Sequence, residues 1–361
     1  MRIAVLGVGL IGGSIGLAAK RRLGWGVTGL DTERANSELG LELGAVDRVA
    51  DSVGEAAEDA ELVFCAAPVG ALPTLVVEAL SASGPEAVVT DVGSTKRELI
   101  AGLGSSDGAE RFIGGHPLAG AESAGVANAR EDLFEGARWY LTPTERSSGV
   151  LYDRLQRAIA DLGARPQAID ADTHDRLMAT VSHLPHVIAN VLVQQAAAAA
   201  AEEAERLPEV GPSFRDTVRV AGANPAIWGA IFATNREAVA GEVKAIAERL
   251  SEAAELLGSG DLERVAAWHA AAREDRRRLL EADLVGGELC ELRIAVLNRP
   301  GTVAEIALAL GRAGVNIEDM ALHPAPDMRS GAISLWVAGE SEANRGAEII
   351  RGLGHAVTLS G

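Results

Sequence analysis

The stretch Gly7-Val8-Gly9-Leu10-Ile11-Gly12 restricts what this chain can fold into more than any other. It follows an apolar run, Arg2–Leu6, that reads as a short buried strand, and it opens a helical pattern reaching about Leu23. In that setting the first glycine permits a tight turn. The second lets an anionic group approach the backbone, and the third lets helix and strand pack closely. The start of the helix then offers unpaired N–H groups and the positive end of its dipole.

A second strand, residues 27–30, ends at Asp31, about 20 residues after Gly12. A carboxylate at that spacing accepts hydrogen bonds from the adenosine ribose and repels a 2′-phosphate. The pattern predicts NAD rather than NADP, held by Gly7, Gly9, Leu10, Ile11, Gly12 and Asp31; Arg34 is the feature that points the other way. Strands at 62–66 and 87–91, with helices between, give the alternation of a doubly wound parallel sheet. Ala66-Ala67-Pro68 closes one of these strands at the carboxyl edge, where such sheets bind ligands, so Pro68 joins the cofactor contacts. The next strand runs into Asp91-Val92-Gly93-Ser94-Thr95-Lys96. Ser94 or Thr95 suits a helix N-cap, and the same sheet edge suits contact with a substrate; both readings stand.

Phe112-Ile113 leads into Gly114-Gly115-His116-Pro117-Leu118-Ala119-Gly120-Ala121-Glu122, which puts His116 just past another strand, in a turn. That suits an imidazole held at the mouth of a site, and equally a plain turn. A further strand at 139–142, a helix at 151–162 and an edge strand at 165–169 close the nucleotide domain near residue 170.

From Asp172-Thr173-His174-Asp175, whose acids suit a helix cap and first turn, the text is helical for about a hundred residues. The alanine run to Ala201 reads as helix, because alanine is the strongest helix former and its small side chain lets helices approach closely. Pro185, in Ser182-His183-Leu184-Pro185-His186, predicts a kink or break with one imidazole on each side. No metal motif accompanies that pair, and no metal is expected. Arg215, Arg219 and Arg236 suit solvated helix charge, or one guanidinium turned into a cleft to hold a carboxylate. Residues 284–287 read as a linker. After it the order is strand 288–297, turn Asn298-Arg299-Pro300-Gly301, helix 302–313, a strand opening at Val315-Asn316-Ile317, strand 332–337, helix 343–352 and strand 356–359. This is the order of a small ferredoxin-like module.

Composition narrows the partners. The 361 residues carry 33 basic against 51 acidic side chains, a net charge of −18, which argues against nucleic acid or an anionic membrane surface. An anionic substrate would need a local cationic pocket against that field. Cys65 and Cys290 fall in different predicted domains, which suggests a reduced, cytoplasmic protein. The apolar N-terminal run is broken by glycines at 7, 9, 12, 13 and 16 and is read as mature protein rather than a leader.

Taken together, Gly7 to Ser14, Asp91-Val92-Gly93-Ser94, Gly115-His116-Pro117-Leu118-Ala119-Gly120 with Glu122, Ser182-His183-Leu184-Pro185-His186, and Phe214-Arg215-Asp216 through Arg219 to Trp228 resemble the prephenate dehydrogenases of bacterial tyrosine synthesis that carry a C-terminal ACT domain. The resemblance covers essentially the whole chain. It implies an α/β Rossmann-like doubly wound sheet over 1–170, an all-α helical dimerisation domain over 171–285, and a ferredoxin-like ACT α+β domain over 288–361. The reaction implied is oxidative decarboxylation of prephenate by NAD+, in a cytoplasmic homodimer. By the same resemblance His116 is the base, Ser94 orients substrate or imidazole, His186 and Arg219 bind substrate, and Glu122 gates or tunes the pocket. L-tyrosine is the implied effector, held near Asn298, Pro300, Gly301 and Asn316. The turn Asn298-Arg299-Pro300-Gly301 departs from the family's Asp-Arg-Pro-Gly. Arogenate dehydrogenase is the nearest alternative. A β-hydroxyacid type of oxidoreductase would use a lysine on the helical domain, and residues 172–240 contain none. A non-catalytic amino-acid sensor would be expected to lose the dinucleotide glycines or His116, and both are kept.

Overall fold

Strand β1 (Arg2–Leu6) is an interior strand of the first sheet, and its alternation explains why both faces of that sheet are covered. Ile3 and Val5 enter one core cluster while Ala4 and Leu6 enter the other. A strand buried on both sides needs an unbroken apolar run, which is what the sequence supplies. The computed structural model describes residues 1–104, 106–120, 123–202, 210–281, 289–297, 299, 301–325 and 329–360.

The chain divides into two compact units, Met1–Glu248 and Arg249–Gly361. In the first, β1 is followed by α1 (Leu10–Leu23), β2 (Gly26–Leu30), α2 (Arg34–Glu42), β3 (Arg48–Val49), α3 (Val53–Ala57), β4 (Leu62–Cys65), α4 (Leu72–Ala82), β5 (Val88–Asp91), α5 (Arg97–Leu103), β6 (Phe112–Pro117), β7 (Arg138–Thr142), α6 (Gly149–Asp161) and β8 (Arg165–Ala168). The eight strands lie in the order β3-β2-β1-β4-β5-β6-β7-β8. The order reverses beside β1, so the crevice at the carboxyl ends of β1 and β4 is the ligand-binding edge.

The sheet is not parallel throughout. β6 pairs antiparallel with β7, setting His116 opposite Tyr140 and Gly114 opposite Thr142. His116 therefore lies inside β6, not in a turn beyond it. Pairing on to Pro117 is possible because a proline at the end of a strand gives up only one ladder bond.

Helices follow: α7 (Ala171–Met178), a wide π turn at Ala179–His183, α8 (Leu184–Glu202), α9 (Pro212–Val218), a 3-10 turn at Arg219–Gly222, α10 (Pro225–Thr234), α11 (Arg236–Gly258) and α12 (Leu262–Glu281). Two sequence expectations are corrected here. Pro185 does not break the helix, which runs on from α7 into α8; the irregularity expected of a proline inside a helix lies just before it, as the π turn. The cap of α7 is Asp170, whose side chain accepts from Thr173 N–H at 2.9 Å, which frees Asp175 to turn inward. Ala171–Ala199 forms one helix that is long and apolar enough, by length and composition alone, to cross a membrane. Its opening turns bury His174 and Asp175.

In the second unit β9 (Leu289–Leu297), α13 (Thr302–Arg312), β10 (Asp319–Pro324), β11 (Ser330–Ala338), α14 (Glu340–Gly352) and β12 (Ala356–Ser360) form an antiparallel sheet in the order β10-β11-β9-β12. Leu292, Ile294, Leu310, Leu335 and Ile350 make its core. The strand expected to open at Val315 starts only at Asp319. Val315 is instead buried in that core, and Glu318 N–H bonds to Trp336 O at 2.8 Å just before the ladder begins. Asn298, Pro300, Glu122 and the linker 284–287 lie outside the described residues.

Candidate active site

The dinucleotide loop is built by close approach. Gly7 has φ +108°, and a Cβ there would stand 2.4 Å from Ala66 O, so the loop lies directly on the chain leaving β4, just before Pro68. A Cβ on Gly12 would stand 1.9 Å from Gly7 O, whereas one on Gly9 would meet nothing within 4 Å. The loop is thus packed on two sides and open at Gly9, the residue that caps α1, where no side chain takes up the helix N–H groups. Asp31 Oδ2 accepts from Val8 N–H at 2.7 Å, which fixes the carboxylate beside the loop. Arg34 is paired with both Glu38 and Asp51. This cradle, with a carboxylate at its rim, fits an adenine dinucleotide without a 2′-phosphate.

Beyond β5 and β6 a chain of three side chains appears that sequence reasoning missed. His116 Nδ1 lies 2.9 Å from His174 Nε2, and His174 Nδ1 lies 2.8 Å from Asp175 Oδ1. His174 and Asp175 come from α7 and are buried. The direction of the chain follows from its end. An ionised Asp175 can only accept, so His174 Nδ1 donates and its Nε2 accepts. His116 Nδ1 then donates to His174, which leaves the lone pair of His116 on Nε2.

Electrostatics keep that lone pair available. Burial, followed by the charges of His174, Lys96 and His183, holds the His116 pKa well below the usual 6.5. For Asp175 burial works to raise the pKa. Hydrogen bonds from His174, Arg97 N–H and Lys96 N–H outweigh it and hold the carboxyl below its usual range. Those last two bonds, at 2.9 and 2.8 Å, also cap α5. Neither Ser94 nor Thr95 does so. The cap position is Lys96, and the Thr95 hydroxyl instead meets that of Thr234 on α10 at 2.9 Å. Ser94 is half-buried at the end of β5, and among the described residues it makes no hydrogen bond to His116.

The helical wall adds the remaining groups. Asn235 Nδ2 donates to Asp175 O at 2.7 Å and lies 3.2 Å from His183 Nδ1. His183 is buried, its Nε2 has no partner among the described residues, and burial first lowers its pKa to about 4. His186 stacks on Trp228 with ring centroids 3.3 Å apart. Its pKa is lowered by burial and then by the nearby Arg219 guanidinium. Tyr140, opposite His116 in the sheet, sets its ring edge against His174 at 5.7 Å. So the structure brings His116, His174 and His183 into one cluster and His186, Arg219 and Trp228 into a second beside it. The signal that could have found the relay is the His174-Asp175 dipeptide at the first helix of the second domain, which reads locally as a helix start.

The profile "Prephenate dehydrogenase, nucleotide-binding domain" matches residues 15–168, and "Prephenate dehydrogenase, dimerization domain" matches residues 170–270. A prephenate dehydrogenase of Bacillus subtilis (strain 168) is 29% identical over 96% of this chain and 95% of its own length. One from Lactococcus lactis subsp. cremoris (strain MG1363) is 30% identical over 70% of each chain. Among solved structures, prephenate dehydrogenase from A. aeolicus in complex with hydroxyphenyl propionate and NAD+ matches with a TM-score of 0.73 and 26% identity, over 77% of this chain and 98% of that one. Synechocystis arogenate dehydrogenase matches with a TM-score of 0.65 and 27% identity, over 77% of this chain and 100% of that one.

Proposed function

Because the chain belongs to the prephenate dehydrogenase family, we propose that its buried histidine relay is the proton-handling device of that family's reaction. The protein is an NAD-dependent prephenate dehydrogenase, converting prephenate and NAD+ to 4-hydroxyphenylpyruvate, CO2 and NADH. NAD+ supplies the hydride acceptor when bound.

The protein's own part is small because aromatisation drives the reaction. As hydride leaves C4 of the substrate ring, the C4 hydroxyl becomes strongly acidic. His116 Nε2 accepts its hydrogen bond and takes up the positive charge, which His174 and Asp175 share through the relay. The electron pair of the bond to the ring carboxylate stays with the ring as CO2 departs, and the proton returns to the phenol oxygen. Ser94, at the same sheet edge, orients the ring hydroxyl. Arg219 binds a substrate carboxylate, with His186 held beside it against Trp228. For Glu122, outside the described residues, family likeness gives a gating or tuning role. The observation that carries this reading is the Asp175–His174–His116 chain, which leaves one imidazole nitrogen unprotonated in a buried site.

Side-by-side assays of NADH formation with prephenate and with arogenate test the assignment. Prephenate is expected to be turned over with the higher kcat/KM. Turnover of neither compound would overturn the proposal, and a preference for arogenate would transfer it to the sister reaction.

The matched dimerisation domain supports a homodimer. The face that would meet a second copy is the exposed apolar side of α7–α8, with Val181 57% and Val191 55% exposed. For the C-terminal sheet we infer an ACT regulatory module that binds L-tyrosine. Its β-α-β-β-α-β order supports this, as does a cavity of about 270 Å³ where Arg299 and His323 stand beside Leu322 and Ile333, a cation against apolar walls. Gly301, with φ +91°, caps α13 and immediately precedes Thr302 of that lining. Asn316, expected among the ligand contacts, has its amide bonded to Glu318 at 2.7 Å. Millimolar L-tyrosine is expected to lower kcat/KM and to raise Tm; a protein indifferent to it in both would refute the effector reading.

A further inference from the structure

We propose that Lys96 is a positioning residue of the reaction: its buried ion pair with Asp91 fixes the turn that carries Ser94 against the strand end that carries His116. The proposal rests on the reading of His116 and Ser94 given above.

Lys96 and Asp91 are both 0% exposed, and the ammonium bonds directly to Asp91 Oδ2. That carboxylate has two further donors. Oδ2 accepts from Gly93 N–H at 2.8 Å and Oδ1 from Gly115 N–H at 3.0 Å. Gly93 immediately precedes Ser94, and Gly115 immediately precedes His116. One carboxylate therefore holds the backbone behind both site residues, and the lysine neutralises it there.

The chain wraps this pair too closely for side chains. A Cβ on Gly93 would stand 2.9 Å from Asp91 Oδ2, one on Gly114 3.1 Å from Lys96 Cδ, and one on Gly115 2.5 Å from Asp91 O. The backbone of Lys96 adds a second link, since its N–H is one of the two held by Asp175 in the relay. The same residue thus joins the Asp91 hub through its side chain and the histidine relay through its main chain.

Stability is a poor reason for such a pair. Replacing a buried ion pair by apolar groups of similar volume is often neutral or stabilising, because desolvating two charges offsets their attraction. What an apolar pair cannot do is accept the Gly93 and Gly115 N–H groups. Lys96 also acts on His116 through space. The charged or titratable groups that shift His116 are His174 on α7, His183 on the π turn and Lys96 itself, and the ammonium adds to burial in keeping the imidazole neutral.

Two variants test this. Lys96→Met removes the cation. Asp91→Asn/Lys96→Met removes both charges at nearly constant volume, and leaves one acceptor oxygen for two N–H groups. Lys96→Met is expected to lower kcat by about 100-fold, the scale of a displaced catalytic group, with KM for both substrates within about threefold of wild type. The acid limb of kcat/KM is expected at higher pH than in wild type in both variants. The double variant is expected to recover Tm while kcat stays at least about tenfold down. Recovery of kcat together with Tm, or an unmoved acid limb, would overturn the proposal by making the pair merely structural. If Lys96→Met alone does not fold, the double variant carries the test. Failure of the underlying site reading shows separately, as full activity in His116→Asn.

Discussion

His116→Asn is expected to lower kcat by about 1000-fold and to leave KM within about threefold. Asparagine keeps what the Nδ1 side of the imidazole does, because its amide can donate to His174 Nε2 and hold the packing at the end of β6. It has nothing in place of the Nε2 lone pair, so the loss falls on the chemical step. The pH dependence follows in sign. The base works unprotonated and its pKa is held well below 6.5 by burial and neighbouring charge. Wild-type kcat/KM is therefore expected to stay flat as the pH falls past 6.5 and to drop only further into acid. The residual activity of His116→Asn is expected to lack that limb. NADH absorbance across a pH series reads both results, and circular dichroism checks that the variant is folded. Activity near the wild-type level, or a limb that survives the substitution, would remove His116 as the proton acceptor.

Asp175→Asn is expected to cost about 100- to 1000-fold in kcat, for the reason that orienting carboxylates matter elsewhere: they select a tautomer. If the amide oxygen takes the Oδ2 place and keeps Arg97 N–H, the amide nitrogen takes the Oδ1 place, where Lys96 N–H loses its acceptor and His174 Nδ1 must accept. His174 Nε2 becomes the donor, His116 Nδ1 the acceptor, and the proton on His116 moves to the nitrogen that should be bare. If the amide turns the other way, its oxygen keeps His174 Nδ1 and Lys96 N–H, the tautomer survives, and Arg97 N–H alone loses its acceptor. Either outcome also costs stability, about 1–2 kcal/mol by analogy with a lost helix cap. The native Asp175 pKa is depressed, so the stability it adds is present above the ordinary value of 3.8 and lost as the pH falls through the native value. The Tm curves of wild type and variant are expected to differ at neutral pH and to converge in acid. A kcat within tenfold of wild type would show that the relay does not need the carboxylate charge to hold the tautomer.

What could be read from the sequence, and what could not, divides by the range of the interaction. The dinucleotide loop, Asp31 and the strands of the first sheet are local patterns, a few residues whose spacing already implies their geometry. The antiparallel pairing of β6 with β7 depends on a partner more than twenty residues away and moves His116 from a turn into a strand. Ser94 or Thr95 suits the cap of α5 because N-caps are normally local, yet the acceptor comes from α7, across the fold. That same long-range bond hid the relay, since an acid at a helix start has a sufficient local explanation. Arg219 and His186 stand out only through family likeness, and the structure adds what His186 rests on, the face of Trp228.

The π turn at Ala179–His183 makes the length of the chain a determinant of the site. His174 and His183 are nine residues apart, so an uninterrupted α-helix would point them about half a turn away from each other. The wide turn takes in one extra residue and rotates the later part of the helix back, so that both imidazoles enter one cluster. Reading frame within a helix is normally forgiving on its exposed side. Here a one-residue insertion or deletion between the two histidines would change the phase of everything after it, His186 included, while leaving every functional residue in the sequence. The family's tolerance of gaps in this segment should therefore be far lower than its tolerance of substitutions.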